Sequence, residues 1–183
     1  MNSVGIIGAG QMGAGIAQVS AAAGYRVFLA DVSLEVAEKA KADIGKRLSR
    51  LVEKEKMEAK AAETALGRIE PVGSFEPMAS AGLIIEAATE REEVKRTIFG
   101  EVGKVLGHKA VLASNTSSIP ITRLAQASPD PERFIGVHFF NPVPVMDLIE
   151  VIKGLATSAE TVETVRGYGK ALGKQMVFAN DAP

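Results

Sequence analysis

The stretch that decides the fold lies near the start of the chain and reads Val4-Gly-Ile-Ile-Gly8-Ala-Gly10-Gln-Met-Gly13. It is typical of an apolar strand that turns through G-x-G-x-x-G into a helix, the pattern of a dinucleotide-binding turn. Gly8 allows a tight turn, Gly10 lets the backbone approach a pyrophosphate, and Gly13 allows close packing between helix and strand. Unpaired N–H groups in the first helical turn face the anion. The pattern predicts a cofactor-binding set of Gly8, Gly10, Gln11, Met12 and Gly13.

The second strand-like segment ends in Asp31, a residue that can distinguish between dinucleotides. A carboxylate at this place can accept hydrogen bonds from the adenosine ribose hydroxyls and would repel a 2′-phosphate. No arginine follows it in Val32-Ser33-Leu34 to accept such a phosphate. Asp31 therefore predicts NAD rather than NADP as the cofactor. The alternative is that Asp31 only caps the next helix, although Ser33 could also do so.

Composition and charge exclude several classes of function. The chain has 183 residues, which is about one domain, and a formal net charge of -1, which argues against a generic nucleic-acid binder. It has no cysteine for disulfide or thiol chemistry, and its two histidines, His108 and His138, are too few for a multi-histidine metal site. No secretory signal or stretch of 18 apolar residues is present. We expect a cytoplasmic protein that binds no metal, nucleic acid or membrane.

Apolar runs alternate with segments of helical spacing along the whole chain, which predicts a doubly wound α/β fold of the Rossmann type with a mostly parallel sheet. The segment between Asp31 and Ile69 is much longer than one crossover helix of about a dozen residues. Ile44, Leu48 and Val52 form one apolar stripe within it. We expect a protruding helical hairpin over residues 34–67. The predicted strands are residues 4–7, 27–30, 83–88, 111–113, 134–140, 148–152 and 176–179.

Two polar features follow strands in the second half. Residues 114–118 read Ser-Asn-Thr-Ser-Ser, at the sheet edge where ligands bind, although they could instead cap a helix that begins near Pro120. His138 ends one apolar strand, and Glu150 lies within the next. If these strands run antiparallel, the two side chains can face each other. A histidine oriented by a carboxylate is typical of enzymes that transfer protons.

These motifs together resemble a known family. The glycine turn, Ile85-Glu-Ala-Ala88, the polar cluster at 114–118, His138-Phe-Phe-Asn-Pro-Val-Pro-Val-Met146 and Leu148-Ile-Glu-Val-Ile152 are similar to the NAD-binding domain of L-3-hydroxyacyl-CoA dehydrogenases. That family includes 3-hydroxybutyryl-CoA enzymes of fatty acid metabolism and β-oxidation. Within it, the stretch Arg47-Leu-Ser-Arg-Leu-Val-Glu-Lys54 resembles the phenylacetate-degradation branch, which acts on 3-hydroxyadipyl-CoA.

The resemblance implies a role for each matching residue. His138 would be the catalytic base, Glu150 its partner, and Ser117 would hydrogen-bond the substrate oxygen. Residues expected to contact the nicotinamide side of NAD are Glu90, Lys95 and Asn115. Residues expected on the substrate side are Asn141 and, toward the phosphates of CoA, Lys54, Arg47 and Arg50. The alternative for these three cations is an ordinary solvated helix face.

The resemblance also implies the domain organisation. The family continues after Asp181-Ala-Pro183 with a helical domain that supplies the homodimer interface and much of the acyl pocket. Residues 1–183 are therefore expected to be one NAD-binding domain that by itself turns over acyl-CoA weakly or not at all. Two other functions stay open: a non-catalytic NAD-binding module of the crystallin or sensor type, and a dehydrogenase of free hydroxy acids. The set of Ser117, His138 and Glu150 argues against the first, because a pure binder needs none of them, and the His–Glu pair argues against the second, in which a lysine base is common.

Overall fold

The computed structural model describes residues 1–181. Within them, eight strands form a single sheet: β1 (Ser3–Ile7), β2 (Arg26–Ala30), β3 (Ile69–Val72), β4 (Leu83–Glu86), β5 (Val111–Ser114), β6 (Phe134–Phe139), β7 (Leu148–Lys153) and β8 (Gln175–Asn180). Their order in the sheet is β3-β2-β1-β4-β5-β6-β7-β8. Neighbouring strands are parallel except for β6 and β7, which are antiparallel. The predicted doubly wound sheet is thus confirmed.

Helices cover both faces of the sheet: α1 (Gln11–Ala22), α2 (Leu34–Glu53), α3 (Ala59–Gly67), α4 (Glu92–Val102), α5 (Ile121–Ala125) and α6 (Ala159–Ala171). One apolar cluster lies under α1, α2, α3 and α6, and a second lies under α4 and α5. Alternate residues of the central strands β1, β2, β4, β5 and β6 enter the two clusters, as expected for strands that are buried on both sides. In the first cluster the Tyr168 hydroxyl lies 2.6 Å from the Ser20 hydroxyl, and burial raises the pKa of Tyr168.

Strand β3 was outside the apolar runs of the sequence, and its position explains this. It reads Ile-Glu-Pro-Val and lies at the edge of the sheet, where Glu70 is exposed and only Ile69 and Val72 are buried. A proline is tolerated here because an edge strand has one side without a hydrogen-bonding neighbour. The edge position therefore removes the apolar pattern by which the central strands were predicted.

The predicted helical hairpin is present as α2 and α3, but the two helices pack against α1 and β3 on one face of the sheet rather than projecting away from it. Ala37, Ala40, Ile44 and Leu48 form the buried face of α2 at helical spacing. A Cβ placed on Gly45 would lie 3.1 Å from Cδ2 of Leu66, so the two helices approach closely there. The 20 residues of α2 make a helix about 30 Å long, with Asp31 just before its start and the hairpin turn at its other end.

The strand order places the predicted site residues at one edge of the sheet. The order reverses between β1 and β4, and ligands of doubly wound sheets bind at the carboxyl ends of the strands beside such a reversal. Asp31, the polar cluster at 114–118 and His138 all lie at or just after carboxyl ends of parallel strands.

None of the helices within residues 1–181 is long and apolar enough to cross a membrane.

Candidate functional site

The three glycines of the turn have different structural roles. Gly8 has φ 109°, and a Cβ there would lie 2.6 Å from the carbonyl of Ala87 in the neighbouring loop. A Cβ on Gly13 would collide with the carbonyl oxygen of Gly8. A Cβ on Gly10, in contrast, would have no atom within 4 Å. Gly8 and Gly13 are therefore required by packing, whereas Gly10 faces open space that a pyrophosphate could occupy.

Helix α1 presents its amino end to this open space. Its N-cap is Gly10, which has no side chain to cap the first turn, and no acidic residue lies in that turn. The first N–H groups of a helix lack partners within the helix, and they carry partial positive charge from the helix dipole. Gln11 is exposed and Met12 half-buried at the same end. The end of α1 thus fits the phosphates of a dinucleotide.

Asp31 is held against the glycine turn. One carboxylate oxygen, Oδ2, accepts a hydrogen bond of 2.6 Å from the backbone N–H of Ala9, and the other accepts one of 2.6 Å from the N–H of Val32. Helix α2 is capped by Ser33, whose hydroxyl accepts a hydrogen bond from the N–H of Val36. Asp31 is therefore not the cap of that helix, and its remaining lone pairs are free to accept ribose hydroxyls.

A cavity of about 430 Å³ adjoins Asp31 and was not foreseen from the sequence. It lies beside Ala30 and is lined across from Asp31 by the loop after β3, including Ser74 and Phe75. In a doubly wound sheet the carboxyl ends of β2 and β3 are adjacent. The sequence could therefore have indicated these lining residues only through their position directly after β3. The cavity therefore adjoins the carboxylate at which the ribose of the adenosine half is predicted to bind.

Under the other half of the site lies a buried ion pair. Lys95 Nζ donates to Oε1 of Glu86 over 2.6 Å and to the Ser114 hydroxyl over 3.2 Å, and the Ser114 hydroxyl donates to the same Glu86 oxygen over 2.7 Å. All three residues are fully buried. The resemblance implied that Lys95 contacts the nicotinamide side of NAD. The structure places its side chain beneath that surface instead, and a direct contact stays a prediction.

The loops after β4 and β5 are joined above this pair. Glu90 Oε2 accepts hydrogen bonds from the hydroxyls of Thr116, over 3.0 Å, and Ser118, over 3.4 Å. The N–H of Thr122, in the first turn of α5, donates to Asp181. Since the N-cap residue of α5 has no side-chain hydrogen bond, the polar cluster at 114–118 does not cap this helix as one alternative held. Within this cluster Ser117 and Ser118 are exposed, whereas residues 114–116 are buried.

His138 and Glu150 stand opposite each other. Strands β6 and β7 are antiparallel, as the pairing hypothesis required, and these two residues are direct Cα partners in the register. Both side chains are half-buried. No nitrogen–oxygen distance of 4.0 Å or less joins the two side chains. The Cβ atoms of such a pair lie about 4.5–5.5 Å apart, so a rotamer change can bring the carboxylate to the imidazole.

The loop after His138 is tied down by a residue that the sequence did not single out. Lys174 Nζ donates to the carbonyl oxygens of Val143, over 2.9 Å, and Met146, over 2.6 Å. Partial burial lowers the pKa of Lys174. Asn141, predicted on the substrate side, is exposed in this loop. Lys174 follows α6, about 30 residues after the loop that it contacts, so no local pattern could have indicated these hydrogen bonds.

The basic residues of the hairpin lie away from the glycine turn. Lys54 follows the last residue of α2, which places it about 30 Å along the helix from Asp31. Lys54 and Arg50 are exposed, Arg47 is half-exposed, and none of the three forms an ion pair within the described residues. Their predicted contact with CoA phosphates stays a prediction.

Residues 1–181 contain no cluster of three or more His, Asp or Glu residues that could hold a metal ion.

The glycine turn, Asp31 and the open amino end of α1 define a dinucleotide-binding domain of the Rossmann type. The chain belongs to the family described as the NAD-binding domain of 3-hydroxyacyl-CoA dehydrogenase, which matches residues 3–182. The predicted family and the predicted cofactor are thereby confirmed.

Relatives that are longer than this chain share its whole length. It is 48% identical over 183 residues to a 3-hydroxybutyryl-CoA dehydrogenase of Bradyrhizobium diazoefficiens, covering 100% of the chain and 62% of the relative. It is 44% identical to a 3-hydroxyadipyl-CoA dehydrogenase of Escherichia coli, of which it spans 38%. The crystal structure of an (S)-3-hydroxybutyryl-CoA dehydrogenase from Ralstonia eutropha superimposes with a TM-score of 0.97 at 42% identity, over 100% of this chain and 65% of that one.

Proposed function

We propose that this chain is the cofactor-binding and proton-transferring domain of an NAD-dependent (S)-3-hydroxyacyl-CoA dehydrogenase. The reaction would be the reversible oxidation of the 3-hydroxyl group of an acyl-CoA to a ketone. The observation that carries the proposal is the direct opposition of His138 and Glu150, at the sheet edge that also holds the dinucleotide turn. A module that only binds NAD would need no such pair.

The residues would divide the chemistry as follows. When bound, NAD supplies the acceptor for the hydride that leaves C3 of the substrate. His138 removes the hydroxyl proton, which suits an imidazole because histidine ordinarily titrates near neutral pH. Glu150 fixes the imidazole tautomer and stabilises the imidazolium that forms. Ser117, exposed at the same edge, donates a hydrogen bond to the substrate oxygen.

The substrate class is supported by the relatives rather than by a pocket in this chain. Those relatives act, by name, on 3-hydroxybutyryl-CoA and 3-hydroxyadipyl-CoA, and a more distant one is a subunit of a fatty acid oxidation complex. We propose an acyl-CoA substrate, with CoA phosphates near Lys54, Arg47 and Arg50 and Asn141 on the acyl side. A helical domain outside residues 1–183, a homodimer, a cytoplasmic location and the phenylacetate pathway stay predictions of the resemblance.

The proposal is tested by NADH oxidation in the presence of acetoacetyl-CoA, using the protein that contains residues 1–183. Free acetoacetate and NADPH serve as matched controls. We expect turnover with acetoacetyl-CoA and NADH and little with either control. Tight NADH binding without any reduction of acetoacetyl-CoA would show a non-catalytic module, and faster reduction of free acetoacetate would show a hydroxy-acid dehydrogenase.

A further inference from the structure

A buried polar network joins three neighbouring strands beneath the catalytic edge. Glu86 ends β4, Ser114 ends β5, and Lys95 reaches between them from α4. The second Glu86 oxygen accepts a hydrogen bond of 2.8 Å from the N–H of Ala88, in the loop after β4. Both carboxylate oxygens and the ammonium group therefore have partners.

A buried ion pair of this kind contributes little net stability to a folded protein. Removing two charges from water costs several kcal/mol per ion, and apolar residues of similar size often stabilise a protein equally well. A satisfied buried network does fix its neighbours in one arrangement. The neighbour in question is Asn115, whose backbone N–H donates to the Glu86 carbonyl over 2.8 Å and whose carbonyl oxygen lies 3.5 Å from Lys95 Nζ.

The side chain of Asn115 continues the sheet where the backbone pairing of β5 and β6 ends. The last backbone partners of these strands are Ser114 and Gly136. Beyond them, Asn115 Oδ1 accepts a buried hydrogen bond of 2.8 Å from the N–H of Phe139. Phe139 directly follows His138, and the His138 and Phe140 rings pack with centroids 4.6 Å apart. Asn115 therefore fixes the backbone of Phe139, and the two residues that carry these rings lie directly before and after it in the chain.

We infer that Asn115 is a positioning residue for His138, anchored from below by the Glu86–Lys95 pair. Its amide oxygen fixes the backbone that carries the imidazole. The contact of Asn115 with the nicotinamide, implied by the resemblance, stays a prediction. The importance of His138 for catalysis rests on the proposed function. The positional claim does not, because it concerns only where the imidazole lies in this chain.

The test is solution NMR of the 183-residue chain, whose two histidines give separately assignable ring signals. In Asn115→Ala we expect the His138 ring cross-peak to shift and its NOEs to the Phe140 ring to weaken at least twofold. The Phe139 amide should exchange about two- to tenfold faster, the range for loss of one neutral hydrogen bond. His108, exposed in the turn before β5, should be unchanged. No NAD or acyl-CoA is needed, so failure of the proposed function cannot produce a false result.

Two further variants complete the test. Asn115→Asp keeps an oxygen acceptor for the Phe139 N–H and should restore the NOEs between His138 and Phe140. Thr97→Ala, on the exposed side of α4, should behave as the wild type. If Asn115→Ala does not fold, Asn115→Ser, which is shorter but polar, takes its place. A folded variant with unchanged His138 signals, or equal shifts at His108 and His138, would overturn the inference, as would a failure of Asn115→Asp to restore the NOEs.

Discussion

The carboxylate of Asp31 accepts a hydrogen bond from the backbone N–H of Ala9, inside the glycine turn itself. The residue that would bind the ribose is therefore positioned by the same loop that would bind the pyrophosphate. A substitution at Asp31 removes a charged acceptor and also loosens this loop, so its effect on affinity should be larger than for an isolated surface carboxylate.

We expect Asp31→Asn to weaken NAD binding by about 1.5–3 kcal/mol, the contribution of a hydrogen bond to a charged group. The preference for NAD over NADP should narrow, because the repulsion of the 2′-phosphate is lost. Calorimetric titration of the chain with both cofactors measures this effect. Glu35→Gln, which removes an exposed acid from the first turn of α2, is the control. Equal affinities of the unaltered chain for NAD and NADP would contradict the assignment.

In the full-length protein, His138→Gln should lower the turnover of acetoacetyl-CoA by about a hundredfold or more, the usual effect of a positioned general base. NADH affinity should change little, because His138 lies on β6 rather than at the dinucleotide turn. Glu150→Gln should also reduce turnover, since it weakens the orientation of the imidazole. Steady-state kinetics and NADH titration separate the two effects. His108→Gln should match the wild type, and near-normal turnover in His138→Gln would exclude it as the base.

The buried ion pair makes a prediction about stability. Lys95→Met leaves the Glu86 carboxylate buried without a cation, which should reduce the free energy of unfolding by about 3–5 kcal/mol. Adding Glu86→Gln removes that charge and should recover much of the loss. Urea denaturation followed by circular dichroism measures both. Lys60→Met, at an exposed position of α3, is the matched control and should be near neutral. A Lys95→Met variant as stable as this control would mean that the pair is not formed.

At the hairpin, Lys54→Glu should raise the apparent KM for acetoacetyl-CoA far more than the KM for NADH. The effect should shrink at high salt, because exposed charges are screened over about 8–10 Å. Lys109→Glu, an equal charge change at an exposed site before β5, is the control. If both variants have the wild-type KM for the acyl-CoA, these cations form only a solvated helix face.

The last prediction concerns residues 1–183 as a separate chain. We expect it to bind NAD, because the glycine turn and Asp31 are complete within it, but to reduce acetoacetyl-CoA only poorly. Holding a substrate in the reactive geometry can contribute about 7–11 kcal/mol, and the chain spans only 62% of its Bradyrhizobium relative. Parallel NAD titration and activity assays of this chain provide the measurement. Activity equal to that of a full-length relative would show that these residues are sufficient.

Local patterns in the sequence predicted the parts of the site that depend on neighbouring residues. The turn at Gly8–Gly13, the strand end at Asp31 and the spacing of His138 and Glu150 each follow from a short stretch. Lys95 could not be placed in this way. It lies in Glu90-Arg-Glu-Glu-Val-Lys95, which looks like a solvated helix face, and only the packing of α4 against the ends of β4 and β5 buries it. The contacts of Lys174 with the loop after His138 are equally non-local.

The order of the strands separates the two determinants of the proposed enzyme. Asp31 follows β2 and His138 ends β6, with β1, β4 and β5 between them. Four strand spacings amount to about 19 Å, and substitutions at that separation without shared partners generally have additive effects. Cofactor preference and proton transfer can therefore change independently in evolution. A substitution near Asp31 that alters the cofactor preference leaves the rate of proton transfer at His138 unchanged, and the reverse also holds.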